Sequence, residues 1–203
     1  MGSRIEVAGM EYRPQLDRKT TAVVAWTLLS TATLIFVSII PIAPIAAASN
    51  HPQVAGITYQ LFHFLCHQLP DRSYFIAGHP LAVCARCAGI YLGFLLLLLV
   101  YPLVRSLRET SLPHRRWLLM ATAPLIVDFG LTFLGIWENT HTSRFVTGFL
   151  FGAVTVFYIM PGILELSAHL NRPKLPTRQE FTVLSGDRIA AAPSDYSAPS
   201  RRI

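Results

Sequence analysis

Residues Ala88–Val104, AGIYLGFLLLLLVYPLV, carry no charge over 17 positions, and apolar residues extend the run upstream to Leu81. How this stretch is read decides the fold. Crossing a bilayer takes about 20 apolar residues at about 1.5 Å of rise each. Three other stretches are similar. Ala22–Ala48 and Phe145–Leu164 hold no charge, and Trp117–Trp137 holds only Asp128. A soluble helical protein has no use for four such runs. Only 14% of the residues are charged, against about 25% in soluble domains. The pattern therefore predicts an all-α membrane protein. Its core is a four-transmembrane-helix bundle, with spans near 22–47, 80–103, 117–137 and 144–166.

The net charge of +6 is read as a topology signal, and no nucleic-acid partner is expected. Fourteen of the 17 Lys and Arg residues fall before the first span, between the second and third spans, or after the fourth. Only Arg72, Arg86 and Arg144 remain for the other side. Positive charge stays in the cytoplasm. This predicts a multi-pass protein of the cytoplasmic membrane with both termini cytoplasmic. The expected organisation is an N-terminal cytoplasmic tail (1–20), a four-span membrane domain (21–166) with an extracytoplasmic Cys/His segment (49–87), and a disordered basic cytoplasmic tail (167–203) rich in proline. Ala46-Ala47-Ala48 resembles a signal cleavage site. The apolar run before it exceeds the roughly 7–15 residues of a signal core, so an uncleaved span is preferred.

Between the first two spans, Val54–Cys66 is apolar but too short to cross. A short additional outer helix is expected there, ended by Leu69-Pro70-Asp71-Arg72. Pro80 suits the first turn of the second span. Ala85, Gly89 and Gly93 recur every four residues, as do Gly148 and Gly152. Small residues at this spacing let helix backbones approach closely. The second and fourth spans are therefore expected to pack together.

All three cysteines, Cys66, Cys84 and Cys87, lie in the outer segment or at the mouth of the second span. Cys84 and Cys87 share a helix face, expected one to two turns inside the start of that span. A helix N-terminus and neighbouring Arg86 favour thiolate over thiol. Thiolates and imidazoles from two segments are usual ligands of a tetrahedral metal site. The fourth ligand would be His63, one turn before Cys66, or His67 if the helix has ended. Zinc, or another transition metal, is expected from ligand softness. A rival reading uses the same thiols in an oxidising compartment. There Cys84 and Cys87 would exchange electrons with a quinone and Cys66 would pass the disulfide on. The plainest reading makes the three cysteines small apolar packers.

Ionisable residues inside a membrane are costly and default to function. Arg86 lies six residues past Pro80, about 9 Å deep, and Asp128 nine residues before Trp137, about 13 Å from the same face. Their depths allow a pair. Arg144 opens the fourth span at that face, and Tyr91, one turn below Cys87, would line the same cavity.

Cys66-His67-Gln68, then Asp71-Arg72-Ser73, then Cys84-Ala85-Arg86-Cys87-Ala88-Gly89-Ile90-Tyr91-Leu92-Gly93 resemble the signature of a family of predicted prokaryotic integral membrane proteins of unknown function. That signature reads C-H-Q, R-S, C-x-R-C-x-G-I-Y-x-G. Pro124, Asp128, Asn139, Arg144, Thr147-Gly148 and Gly152 extend the likeness over about residues 55–165. Where the family often has Asp-Gly, this chain has Asp128-Phe129. The resemblance implies no established activity. It does imply that Cys66, His67, Gln68, Arg72, Ser73, Cys84, Arg86, Cys87 and Tyr91 belong to one signature, which favours a shared site over scattered packing.

The leading expectation is a membrane protein with a Cys/His metal centre, bound by Cys66, Cys84, Cys87 and His67 or His63. A polar pocket of Arg86, Asp128, Arg144 and Tyr91 would sit beside it. With an open coordination position the ion would activate water, making the protein a membrane-embedded metal-dependent enzyme. The thiol–disulfide/quinone protein is one alternative, and a non-enzymatic accessory membrane subunit with a structural ion is the other. Expected partners are the lipid bilayer and a lipid or small-molecule substrate at the outer leaflet.

Overall fold

The computed structural model describes residues 18–170. The expected tails, residues 1–17 and 171–203, lie outside the described residues. Six α-helices are described: α1 (Arg18–Ile39), α2 (Ile42–Ala48), α3 (Pro52–His63), α4 (Ala85–Val104), α5 (Arg116–Phe133) and α6 (His141–Leu170). A two-residue hairpin, β1 (Phe75–Ile76) with β2 (His79–Pro80), precedes α4. Among the described residues, four segments are long and apolar enough to cross a membrane: Lys19–Ala48, Ala85–Val104, Arg116–Phe133 and His141–Leu170. The protein is thus an all-α membrane protein, and α3 is the expected short extra helix.

The central pair is α4 and α6, running parallel, with α1 packed on both and α5 packed on α6. Their contact is made through glycine. A Cβ on Gly89 would collide with the Phe145 carbonyl, and one on Gly93 with the Phe149 carbonyl. From the other side, Gly148 lies against the Arg86 carbonyl and Gly152 against that of Ile90. The four-residue repeat of small residues therefore does what its spacing predicts.

Two buried clusters mark the two ends of the bundle. At one end Ala22, Leu98, Tyr101, Val156, Met160 and Leu164 pack together. The Trp26 indole N–H donates to the Leu98 carbonyl at 2.8 Å, tying α1 to α4. The first and last spans thus begin and finish at this end. At the other end Ile40, Ala43, Phe62, Cys66, Ala82 and Val83 form the second cluster, where α2, α3 and the segment before α4 meet.

Four boundaries differ from expectation. The first span breaks after Ile39, because Pro41 disfavours helix at the residue before it. The chain then turns into α2. Pro80 does not open a helix. Ala77 and Gly78 both take positive φ, 49° and 81°, and make a tight hairpin turn that puts Pro80 in β2. The second span starts only at Ala85, with Cys84 as its N-cap. The third span stops at Phe133, short of Trp137, because Gly135 takes φ 68° just past the C-cap. Its N–H then bonds to the Thr132 carbonyl and that of Ile136 to Leu131. The fourth span is longer than expected, from His141 to Leu170, so residues 167–170 are helix rather than tail.

Candidate metal centre and polar cavity

Two short devices bring the cysteines together. After α3, the chain turns so that the Cys66 N–H bonds to the Phe62 carbonyl at 2.9 Å. Gln68 follows with φ 50°. Its side-chain amide donates to the carbonyls of Tyr59, at 2.8 Å, and Ala82, at 2.7 Å. Tyr59 in turn donates to the Pro80 carbonyl at 2.6 Å. These bonds clamp the end of α3 to the extended segment before α4. Cys66 is thereby set against Cys84 at the α4 N-cap and Cys87 in its first turn.

The three Sγ atoms lie within 4.8 Å of one another. A tetrahedral zinc ion with bonds of about 2.3 Å holds its sulfurs about 3.8 Å apart. Closing the group around an ion therefore needs a movement of about 1 Å or less. The thiols are free, and Cys66 is buried. The Cys84 N–H donates to Cys66 Sγ at 3.2 Å. Hydrogen bonds from the Cys84 and Cys87 thiols, aided by that amide, hold the Cys66 thiol well below its ordinary value despite burial. The ligand form of cysteine is the thiolate, and the Cys84 N–H bond to Cys66 Sγ favours it.

The cluster forms one wall of a cavity of about 430 Å³. Arg72, Arg86, Arg144, Asn139 and His67 also line it. Arg86 Nη2 meets Asp128 Oδ2 at 2.5 Å, and the two side chains are only 19% and 10% exposed. Asn139 bridges the next pair. Its amide donates to Asp128 Oδ2 at 2.7 Å, while its Oδ1 accepts from Arg144 Nε at 2.5 Å. The Arg86 guanidinium also sits over the Phe129 ring, 5.6 Å from its centre. The expected pairing of Arg86 with Asp128 is present. Arg86 is the second residue of α4 and Asp128 lies five residues before the end of α5, so the two meet near the end of the bundle. Both were expected deeper, and the two errors cancel.

Other expected residues fall apart from the cluster. His63 is exposed, with its ring 6.2 Å from that of Phe64, and lies outside both the thiol group and the cavity wall. It is one turn before Cys66 in sequence, but α3 ends there and Cys66 turns inward alone. His67 lines the cavity without joining the thiol group. Tyr91 does not line the cavity. It packs edge-on to Phe36 of α1, with ring centres 5.0 Å apart. Gln68 and Asn139, named in the sequence only through the family likeness, each hold two segments together here. Loop polar residues carry no periodicity that would single them out.

The fold and this thiol–arginine cavity define a multi-pass helical membrane protein with a polar site at one end of its bundle. The chain belongs to the predicted membrane protein family DUF2085, whose model matches residues 66–158. It is 42% identical over 108 residues to an uncharacterized protein of Methanocaldococcus jannaschii, covering 53% of this chain and 69% of that relative. An uncharacterized protein of Methanothermobacter thermautotrophicus is 33% identical over 87 residues, covering 43% of this chain and 77% of its own length. No solved structure matches the chain.

Proposed function

We propose that this protein is an integral membrane metalloprotein in which Cys66, Cys84 and Cys87 bind one zinc ion at the extracytoplasmic end of the bundle. The observation that carries this reading is the grouping of three Sγ atoms within 4.8 Å on the wall of a cavity. Three protein ligands with a fourth position open to a cavity are the arrangement of catalytic rather than structural zinc. An ion held there would lower the pKa of a bound water towards 7 and make a nucleophile for hydrolysis. His67, lining the same cavity, is the imidazole that would take the water's proton. If His67 instead becomes the fourth ligand, the ion is closed off and staples the loop to α4, as in an accessory subunit. The excess of Lys and Arg outside the cavity-end segments supports the cytoplasmic location of both termini, in the cytoplasmic membrane.

One observation favours the thiol–disulfide reading instead. Cys84 is the N-cap of α4 and its N–H already bonds to Cys66 Sγ, a geometry that suits exchange between the two sulfurs. Metal analysis by mass spectrometry beside a free-thiol count separates the two. Under the metal reading, detergent-purified protein holds about one ion per chain. Cys66→Ser, Cys84→Ser and Cys87→Ser each lower it sharply, and thiol reagents react only after chelation. Negligible metal with two thiols missing until a reductant is added overturns the metal reading in favour of redox exchange. Three reactive thiols in untreated, metal-free protein overturn both.

A further inference from the structure

The metal reading accounts for one wall of the cavity and leaves the other unexplained. Three arginines, Arg72, Arg86 and Arg144, line a single space, and among the described residues no Asp or Glu side chain lines it. Asp128, behind Arg86, neutralises one of them. Among the described residues Arg72 reaches only its exposed neighbour Asp71, at 3.9 Å, and exposed pairs of that kind contribute little. Arg144 is held through Nε by the neutral Asn139 oxygen, and among the described residues no carboxylate pairs with it. Arg86 Nε is buried without a hydrogen-bond partner. Cations near a membrane core without counter-ions are costly and mark a site that takes charge from elsewhere. Guanidinium forks match the oxygens of a phosphate group in bidentate pairs.

A second feature of the cavity concerns the rest of the ligand. Leu65, Leu69, Phe129 and Phe133 also line it, and all four are exposed. Phe129 and Phe133 stack with ring centres 6.2 Å apart on the outer surface of α5, a membrane-spanning helix. The wall thus joins a cationic interior to an apolar rim that a bilayer would cover.

We infer that Arg72, Arg86 and Arg144 form a phosphate-binding subsite, and that its apolar rim receives the phosphate as part of a membrane lipid. The inference deepens the metalloprotein reading by naming the substrate class. A phosphate ester held on the arginines would sit across the same cavity from the three sulfurs. The arginine wall binds phosphate whether or not an ion is present.

Calorimetric titration of the full-length protein in detergent tests this, with inorganic phosphate, dihexanoyl phosphatidic acid and dihexanoyl phosphatidylcholine as probes. Wild type should bind the phosphatidic acid at least about tenfold tighter than the phosphatidylcholine, whose phosphate is offset by its choline. Arg144→Gln and Arg72→Gln should each weaken phosphatidic acid binding about tenfold. Arg144→Lys keeps the charge, guards against a folding artefact, and should recover only part of the affinity because the fork is lost. Equal affinity for inorganic phosphate and phosphatidic acid would retain the arginine subsite and overturn the lipid source. No binding of either, or unchanged binding in Arg144→Gln protein that melts like wild type, overturns the subsite. Metal content is measured on the same samples. Metal without anion binding sinks this inference alone, and anion binding without metal sinks the metalloprotein reading alone.

Discussion

Neutralising Asp128 should cost more than any other single carboxylate change in the bundle, because it leaves Arg86 charged and half-enclosed. Their nitrogen–oxygen contact is 2.5 Å, and only 19% and 10% of the two side chains is exposed. With charge centres about 4 Å apart and an effective dielectric near 20, the attraction is about 4 kcal/mol. Removing one partner of a buried pair typically costs about 3–5 kcal/mol, since the remaining charge stays desolvated. At roughly 2–4 °C per kcal/mol for a chain of this size, Asp128→Asn should lower the melting temperature in detergent by about 6–20 °C. Arg86→Gln should do similar damage, exposing Asp128 and losing the contact with Phe129. The double variant buries no unpaired charge and should melt several degrees above the worse single variant. Recovery stays partial because Asn139 loses its carboxylate acceptor and the Phe129 contact, about 0.5–1 kcal/mol, is gone. Scanning fluorimetry on the four proteins reads the cycle. If the double variant melts no higher than the worse single one, the pair contributes nothing and the reasoning fails.

Two further outcomes follow from the architecture. In a variant lacking the native cysteines, an engineered cysteine at Ser49 should react with an impermeant thiol reagent in intact cells, and one at Ser106 should not. The reverse labelling would put the cavity on the cytoplasmic side. Gly148→Leu should prevent α4 and α6 from docking and abolish a folded, monodisperse protein in detergent, whereas Gly130→Leu, where an added Cβ meets nothing within 4 Å, should be tolerated. Equal behaviour of the two by size-exclusion chromatography would refute the close α4–α6 contact.

The spans were legible because charge-free runs of bilayer length have one physical use. The glycine seam between α4 and α6 was legible because a four-residue spacing is a helix face. Boundaries were harder. Proline at position 80 reads equally as a helix start or a strand residue, and only the paired positive φ values of Ala77 and Gly78 decide it. Gly135 was a visible stop signal, but the apolar Ile136-Trp137 beyond it masked the helix end. For the site, three cysteines confined to one segment marked the chemistry. The separate fates of His63 and His67 depend on where α3 unwinds, which spacing does not reveal. Asn139 was visible only through the family likeness, because its role comes from standing between Asp128 and Arg144, residues 11 and five positions away that meet only in the folded bundle.

The order in which the cavity walls leave the ribosome constrains biogenesis. Cys66 emerges first, then Cys84, Arg86 and Cys87, then Asp128, and last Asn139 and Arg144 at the start of α6. The sulfurs can gather once α4 has inserted, since their clamp runs through Tyr59, Gln68, Pro80 and Ala82, all of which precede it. The arginine wall cannot, because Arg144 arrives with the final helix and the glycine seam that seats it. During synthesis there is thus an interval in which the thiol cluster exists without its cavity. Docking of α6 is therefore the event that completes the cavity around the thiol cluster.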